Sequence, residues 1–312
     1  MKYSVFIHTN HKQILGAKVA AWALKRNSAH ADEFDVQFID TRDHPWMAEY
    51  EGQVYLRDGV KRVWLNDDLQ SFTPLRFRPP EIMGYQGRAL VMDPDIFAVG
   101  DVFDLLSRDM GDHAIVCRKR SGPKGAIDKC WASSVMLLDC GKLPHWSAES
   151  GFRQMFASER DYSEWVCLKL EDPSTIGVLE PEWNDFDRLT PKTRMLHTTR
   201  RKTQLWKTGL PVDWRPAEKF RAFPPAGWLM RARRHFFGEY AFRGHYKQHP
   251  DANQEKLFFG LLAECIDQGT VTEAELRAEM EQNHLRHDAF EILEQTPRLP
   301  EPSNPPVQLP AA

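Results

Sequence analysis

Two aspartates separated by one proline, Asp93 and Asp95, offer the most pointed chemistry in this chain. They follow the apolar run Arg88-Ala89-Leu90-Val91-Met92, and Ile96-Phe97 comes directly after them. That run reads as a buried strand, so the carboxylates stand at its C-terminal tip, where open α/β sheets bind their ligands. Pro94 lacks a backbone donor and holds Asp93 in extended geometry, which ends the strand. On one side of the chain, the two carboxylates form a hard-oxygen cluster suited to Mg²⁺ or Mn²⁺ carrying a diphosphate. An Asp-x-Asp at a strand end is also a common turn device, because Asp bonds its own backbone. His197 follows a short apolar run, Met195-Leu196. It would complete the set with an imidazole, a donor that Mn²⁺ accepts more readily than Mg²⁺ does. Its alternative role is that of a core histidine bonded to backbone.

Other polar positions fall where a nucleotide would need them. His8-Thr9-Asn10 ends the first strand and leads into a helix, the usual place of a base or ribose in doubly wound sheets. Asn10 and Gln13 could bond uracil or ribose, while Thr9 or Asn10 could equally cap the helix. Arg76 could stack on the base or hold a phosphate, or could pair with Asp67 or Asp68. Arg200, Arg201, Lys202 and Lys207 form a cluster able to stabilise a departing diphosphate, or a solvated loop.

The elements that must position these residues follow from hydrophobic spacing. Tyr3–His8 reads as a strand, Lys12–Arg26 as a helix and Phe34–Ile39 as a second strand, an opening that specifies a parallel sheet. Residues 43–75 read as irregular. Asp101 caps a short helix over 102–106 with Asp104 in its first turn. His113–Arg118, Val135–Asp139 and Thr193–His197 are further strands, 122–125 is a loop and Glu164–Leu170 is helical. Residues 254–294 read as two helices with a break at Gly269-Thr270 and a cap at Thr272. The proline-rich last sixteen residues lack the composition for a packed core.

With 312 residues, 42% apolar and including 18 Phe and 10 Trp, the chain can bury a large core. A formal charge of −3 gives no global field for nucleic acid. No apolar run approaches a membrane span, and Met1–His8 reads as a strand rather than a signal sequence. The five cysteines, at 117, 130, 140, 167 and 265, have no metal-type spacing and read as reduced core residues of a cytoplasmic protein. Residues 228–247 read as a basic, aromatic amphipathic helix. It either lies on an anionic membrane surface, making the protein membrane-peripheral, or packs on the rest of the chain with its arginines solvated.

Several blocks, taken in order, resemble glycosyltransferase family 8. Arg76, Pro80-Glu81, the Asp93/Asp95 pair and Asp101 match its Arg…Pro-Glu…Asp-x-Asp…Asp pattern. Trp131-Ala132-Ser133-Ser134-Val135-Met136-Leu137-Leu138 is similar to its Phe-Asn-Ser-Gly-Val-Met-Leu strand, and Trp183-Asn184 to its Trp-Asn pair. Met195-Leu196-His197-Thr198-Thr199 with Gln204-Leu205-Trp206 resembles its late His block. The likeness covers roughly 1–210. It departs at Ala132, where the family has Asn, at Ser134, where it has Gly, and at the basic run Arg200-Arg201-Lys202. The family's Asp-Gln pair aligns best with Ser163-Glu164.

The resemblance implies an α/β fold of the GT-A (Rossmann-like) type: a mixed, mostly parallel sheet flanked by helices, with a helical C-terminal extension. Residues 1–214 would form the nucleotide-sugar-binding catalytic domain, 215–296 the helical extension and 297–312 the tail. It further implies retaining transfer of a hexose from a nucleotide sugar, a UDP-sugar, to a carbohydrate, glycolipid or protein hydroxyl. Mn²⁺ or Mg²⁺ would sit on Asp93, Asp95 and His197; His8, Thr9, Asn10, Gln13, Arg76, Asp93 and Ser133 would bind the donor. Glu164 would lie beside the anomeric carbon, or on a helix surface, and Lys207 nearest the family's late basic position. The competing readings are a non-catalytic nucleotide- or partner-binding module, which Ala132 favours, and a nucleotidyltransferase, which the glycine-free His8–Lys12 segment disfavours.

Overall fold

The computed structural model describes residues 3–121, 127–214 and 242–302, together with 229, 232–233, 235–238 and 240. The chain opens with β1 (Tyr3–Thr9), helix α1 (Ile14–Arg26) and β2 (Phe34–Asp40), as the spacing predicts. β3 (Val54–Arg57) and β4 (Val60–Val63) follow, then β5 (Arg88–Met92) and β6 (Ile96–Ala98). Further on lie β7 (Ile115–Ser121), β8 (Ile127–Asp139), β9 (Ile176–Val178), β10 (Asp185–Phe186) and β11 (Met195–His197).

Among the described residues, the main sheet has the order β2-β1-β5-β8-β7-β9. Only β8 runs against the others, since β5 and β7 both pair with it antiparallel while the remaining pairs are parallel. This is the mixed, mostly parallel α/β sheet that the sequence implies. β1 and β5 are central and buried on both faces, which explains their nearly continuous apolar runs.

One apolar cluster fills the α1 side. It joins Leu15, Val19, Leu24 and Phe97 to Trp206 and to Phe258, Phe259 and Leu262 of the helix Ala252–Asp267. Phe258 stacks on Trp206 at 4.9 Å, and Trp22 and Arg26 of α1 both reach Glu264, at 2.8 and 2.6 Å. Burying each such side chain stabilises the fold by about 1.5–3 kcal/mol, so the C-terminal helices share the sheet's core. The other face packs Trp46, Phe77, Phe152 and Trp165, with Phe77 stacked on Trp165 at 4.4 Å.

Several local expectations change. The stretch 43–75 contains the β3–β4 hairpin, whose tip residues Asp58 and Gly59 both have positive φ (55° and 68°), the geometry of a tight two-residue turn. The helical segment expected at 164–170 is shorter and earlier, Tyr162–Val166. The C-terminal region forms three helices, Ala252–Asp267, Glu273–Glu281 and Ala289–Gln295, rather than two. Thr272 does cap the second, in a reciprocal capping box with Glu275. The expected loop 122–125, residues 228, 230, 231, 234, 239 and 241 of the expected helix 228–247, and the tail from 303 onward lie outside the described residues. Of the rest of that helix, 229, 232–233 and 235–237 are helical but 242–247 are not, so the expected helix does not reach 247. No described helix is long and apolar enough to cross a membrane.

The reading of all five cysteines as reduced is corrected: Cys130 and Cys167 form a disulfide. β8 brings Trp131 beside the segment after the Tyr162–Val166 helix, with Trp131 N–H donating to Cys167 O at 3.2 Å. The two thiols therefore meet across 37 residues without any spacing signal. Cys117, Cys140 and Cys265 are free and buried.

Candidate functional site

After Met92 the chain leaves the main sheet. β6 pairs antiparallel with β11, and β10 joins β11 on the far side. Asp93 and Asp95 thus occupy the link between two sheets, and His197 ends the strand that pairs with Ile96. The link is fixed by Asp93 N–H donating to Ser134 O at 3.0 Å and by Thr198 N–H donating to Asp95 O at 3.1 Å. From the other side, α1 presses close because its residue 16 is glycine. A Cβ there would stand 2.9 Å from the Pro94 carbonyl oxygen and 3.0 Å from the Trp206 ring.

Ligand atoms of Asp93, Asp95 and His197 lie within 4.8 Å of one another. Cis ligands on one octahedral ion of about 2.1 Å bond length stand somewhat closer, a difference that side-chain torsions can close. The hydrogen-bond pattern is compatible with a metal ion at these three residues. Asn184, fully buried, donates from Nδ2 to Ser134 Oγ at 2.9 Å, so its Oδ1 faces His197 Nδ1 at 2.8 Å. The Asn184 acceptor places a proton on His197 Nδ1, and in the neutral ring Nε2 would then present a lone pair, the tautomer of a metal ligand oriented from behind. That lone pair faces Asp95 Oδ1 at 3.4 Å, and Asp95 Oδ1 is buried with no hydrogen-bond donor among the described residues. With the ring neutral, two acceptors face one another, an arrangement suited to a metal ion between them.

Asp93 is ionised. Burial pushes its carboxyl up, but the Arg76 guanidinium, 2.7 Å away, outweighs burial and holds it well below the usual carboxylate range. Arg76 also donates to Ser133 Oγ at 2.7 Å, and Ser133 donates in turn to Val166 O at 2.5 Å. His8 Nε2 lies 2.8 Å from Asp93 Oδ1 but off the line of a hydrogen bond. Burial pushes the His8 pKa down, so this imidazole is neutral.

These groups border a cleft of about 450 Å³. Of the residues expected at the site, Gln13, Arg76, Asp93, Asp95, Ser133 and His197 line it together. The others are placed differently. His8 is fully buried behind Asp93, and Thr9 is buried beside it with its hydroxyl on Asn10 O. Asn10 is engaged structurally, its Nδ2 within 3.0–3.3 Å of Ser71 Oγ, Leu69 O and Asp68 O. It thereby anchors the loop whose Leu69 and Gln70 reach the cleft.

Glu164 is exposed on its short helix and does not line the cleft, whereas Ser163 does. Lys207, expected near the departing diphosphate, is instead fully buried with its ammonium 2.7 Å from Asp213. Tyr246 donates to the same carboxylate. Of the expected basic cluster, it is Arg201 that lines the cleft. Arg201 lies over the Trp214 ring at 5.5 Å and has no carboxylate partner among the described residues.

The structure also adds residues. Asn184 orients His197; the sequence shows the Trp183-Asn184 pair but not this role. The β3–β4 hairpin brings Arg57 and Asp58 to the cleft. Its tip is latched by Asp161, whose carboxylate accepts from Asp58 N (3.1 Å) and Gly59 N (2.8 Å) while capping the Tyr162–Val166 helix. Asp-Gly between alternating residues is the signal that marks such a hairpin.

No protein-family model matches this chain, and no curated protein matches it in sequence. Solved structures similar to it include the glycosyltransferase GlyE of Streptococcus pneumoniae TIGR4, at 14% identity over 66% of this chain and TM-score 0.46. This chain spans 56% of the GlyE length. The galactosyltransferase LgtC, in complex with donor and acceptor sugar analogs, aligns at 13% identity over 65% of this chain and 89% of its own, with TM-score 0.46. Mouse xyloside xylosyltransferase 1 aligns at 13% identity over 64% of this chain and 98% of its own, with TM-score 0.42.

Proposed function

We propose that this chain is a metal-dependent glycosyltransferase of the GT-A type, moving a hexose from a nucleotide sugar, a UDP-sugar, to a hydroxyl acceptor with retention. The observation that carries the reading is the pair of facing acceptors, Asp95 Oδ1 and His197 Nε2, beside an ionised Asp93 in an arginine-lined cleft. These carboxylate and imidazole ligands suit Mn²⁺ or Mg²⁺, which Asp93, Asp95 and His197 would hold together with the donor's diphosphate. When bound, such an ion supplies Lewis-acid stabilisation of the departing nucleoside diphosphate.

The chain's own residues divide the remaining work. Asp93, Asp95 and His197 hold the ion, Asn184 and Arg76 orient two of those ligands, and Gln13 is placed to bond the nucleotide. The acceptor hydroxyl oxygen would bond to C1 as the C1–O bond to the diphosphate breaks. The electron pair of the broken bond passes to the β-phosphate oxygen, which takes up the acceptor's proton. Arg201 is the cation placed to offset that charge, taking the role expected of Lys207. Retention rests on the sequence resemblance. The basic, aromatic segment 228–247 would hold the enzyme at an anionic membrane; exposed Phe236, Phe237 and Phe242 fit this, and failure to cosediment with anionic vesicles would remove it.

The test is incubation with individual UDP-sugars and Mn²⁺, scoring release of UDP and free sugar. Turnover of at least one donor, abolished by EDTA, is expected. A second reading, donor binding without turnover, is favoured by Ala132 and by the position of Glu164 outside the cleft. Tight UDP binding with no turnover of any donor would select it.

A further inference from the structure

We propose that the Cys130–Cys167 disulfide is a redox-modified site: a dithiol opens it from the cleft, and opening it weakens the metal site. The inference rests on the metal-site reading above and adds a control to it. Both cysteines line the cleft, whereas Cys117, Cys140 and Cys265 are free and packed into the two core clusters. A small reagent in the cleft therefore meets this bond and not the other thiols.

The bond ties two walls together. One is β8, whose Ser134 carbonyl accepts from Asp93 N–H at 3.0 Å. The other is the segment 161–168, which brings Ser163 and Val166 to the cleft and latches the β3–β4 hairpin through Asp161. Two hydrogen bonds accompany the disulfide, from Trp131 N–H to Cys167 O at 3.2 Å and from Ser133 Oγ to Val166 O at 2.5 Å. The second leads on to the metal site. Ser133 Oγ accepts from Arg76 Nη1 at 2.7 Å, and Arg76 Nη2 donates to Asp93 Oδ1 at 2.7 Å. A hydroxyl whose proton is committed to Val166 O turns its lone pairs to the guanidinium. If the segment moves away, that proton is released, Arg76 loses a fixed acceptor, and Asp93 loses the partner that orients it.

The segment also has a reason to move. Leu168, next to Cys167, follows the 162–166 helix at φ 55°, where its Cβ crowds the backbone and glycine would not. Its side chain is only 2% exposed, and that burial opposes release. The two effects are of comparable size, so the covalent link between Cys130 and Cys167 decides which arrangement holds. Cys130 is 7% exposed and Cys167 half-buried, which directs attack to the Cys167 sulfur. One thiolate of a dithiol bonds to it, and the S–S electron pair leaves on Cys130, which takes a proton. The reagent's second thiolate then closes on the first sulfur and expels Cys167, which also takes a proton. The protein gains two thiols, and the dithiol, having supplied two electrons and two protons, ends as a disulfide.

The experiment equilibrates the full chain, without denaturant, in reduced or oxidised dithiothreitol. The reagent is removed by anaerobic gel filtration, because a dithiol itself takes up Mn²⁺. Alkylation and mass mapping should find Cys130 and Cys167 labelled in the reduced protein and Cys117, Cys140 and Cys265 unlabelled. Mn²⁺ affinity, read by electron paramagnetic resonance with and without UDP, should fall about tenfold on reduction, as when a metal ligand loses the partner behind it. It should recover on reoxidation, with circular dichroism unchanged throughout. Cys130→Ser/Cys167→Ser should bind as the reduced protein does, in either buffer. Ser133→Ala should bind more weakly and lose most of the response to reduction, since the coupling passes through its hydroxyl.

A bond that resists dithiothreitol until the chain unfolds, or a reduced protein that binds Mn²⁺ like the oxidised one, overturns the inference. So does reduction that melts the fold, a double variant that binds like oxidised protein, or a full response in Ser133→Ala. With UDP still bound by the oxidised protein, any of these leaves the donor reading intact. If UDP binds in neither state, the donor reading falls, and the Mn²⁺ titration without UDP decides the redox control by itself. If Mn²⁺ does not bind either, both fall.

Discussion

Replacing Asn184 by alanine removes the only group that fixes the His197 tautomer among the described residues. Asn184 is fully buried, its Oδ1 accepts from His197 Nδ1 at 2.8 Å and its Nδ2 donates to Ser134 Oγ at 2.9 Å. The substitution strands a buried N–H, which costs about 1–3 kcal/mol. Part of this falls on the fold; the rest falls on the metal, because the ring is free to place its proton on Nε2. Removing such a partner weakens metal binding by about 10–100-fold, or about 1.4–2.8 kcal/mol, which agrees with the first figure. Asn184→Asp keeps an acceptor at Nδ1, and the Ser134 hydroxyl can rotate to donate to the new carboxylate. Its Mn²⁺ affinity should therefore stay within about threefold of wild type. Mn²⁺ titration by electron paramagnetic resonance in the presence of UDP, with urea unfolding of each variant alongside, separates affinity from stability. A folded Asn184→Ala protein that binds Mn²⁺ like wild type would refute the reasoning. So would an Asp variant that loses as much as the Ala variant.

The other expectations use different measurements. Arg201→Ala should weaken UDP–Mn²⁺ binding about tenfold, the weight of one charged contact to phosphate. Lys207→Met should leave it unchanged in the folded protein but cost about 3–5 kcal/mol of stability, because Asp213 is left buried without its cation; the reverse pattern would restore Lys207 to the site. Burial pushes the Asp213 carboxyl up, but Lys207 and Tyr246 outweigh it and its folded-state pKa lies below the ordinary value of 3.8. The unfolded chain is then the first to take up the proton, so this stabilisation is complete above that pH and is lost as pH falls through the folded value. Asp213→Asn should flatten the acid limb of a stability–pH curve by that contribution, and an unaltered limb would contradict the pairing. Cys130→Ser/Cys167→Ser should lower unfolding free energy by up to about 4 kcal/mol, the chain entropy of the 37-residue loop. Native protein should show no reactive thiol, since burial pushes Cys140 and Cys265 up to about 12. Rapid labelling of two thiols under native, non-reducing conditions would show that the bond is absent.

What the sequence discloses is the part fixed by local spacing. The β1–α1–β2 opening, the buried run of β5 and the carboxylates at its tip follow from hydrophobic period and one proline. So does the Thr272 cap. The break before the last helix was not read from the sequence; it falls at Asn283, which follows the helix end with φ 58°, the left-handed position that Asn tolerates. The rest depends on contacts remote in sequence. Asn184 and His197 are thirteen residues apart and meet only because β10 and β11 lie side by side. Lys207 is removed from the cleft by Asp213 and Tyr246, the latter supplied by a segment 33 residues beyond Asp213. Composition alone cannot distinguish Lys207 from Arg201 in one basic run. Cys130 and Cys167 likewise become partners only when β8 passes the 162–166 helix.

The central claim is that Asp93, Asp95 and His197 form one metal-dependent nucleotide site. Calorimetric titration of UDP into the protein with Mn²⁺, then with EDTA, for wild type and Asp95→Ala, tests it most directly. Saturable binding should require both Mn²⁺ and Asp95. Binding that survives EDTA, or that is the same in Asp95→Ala, would contradict the claim, as would wild-type protein that binds neither UDP nor GDP with Mn²⁺ present.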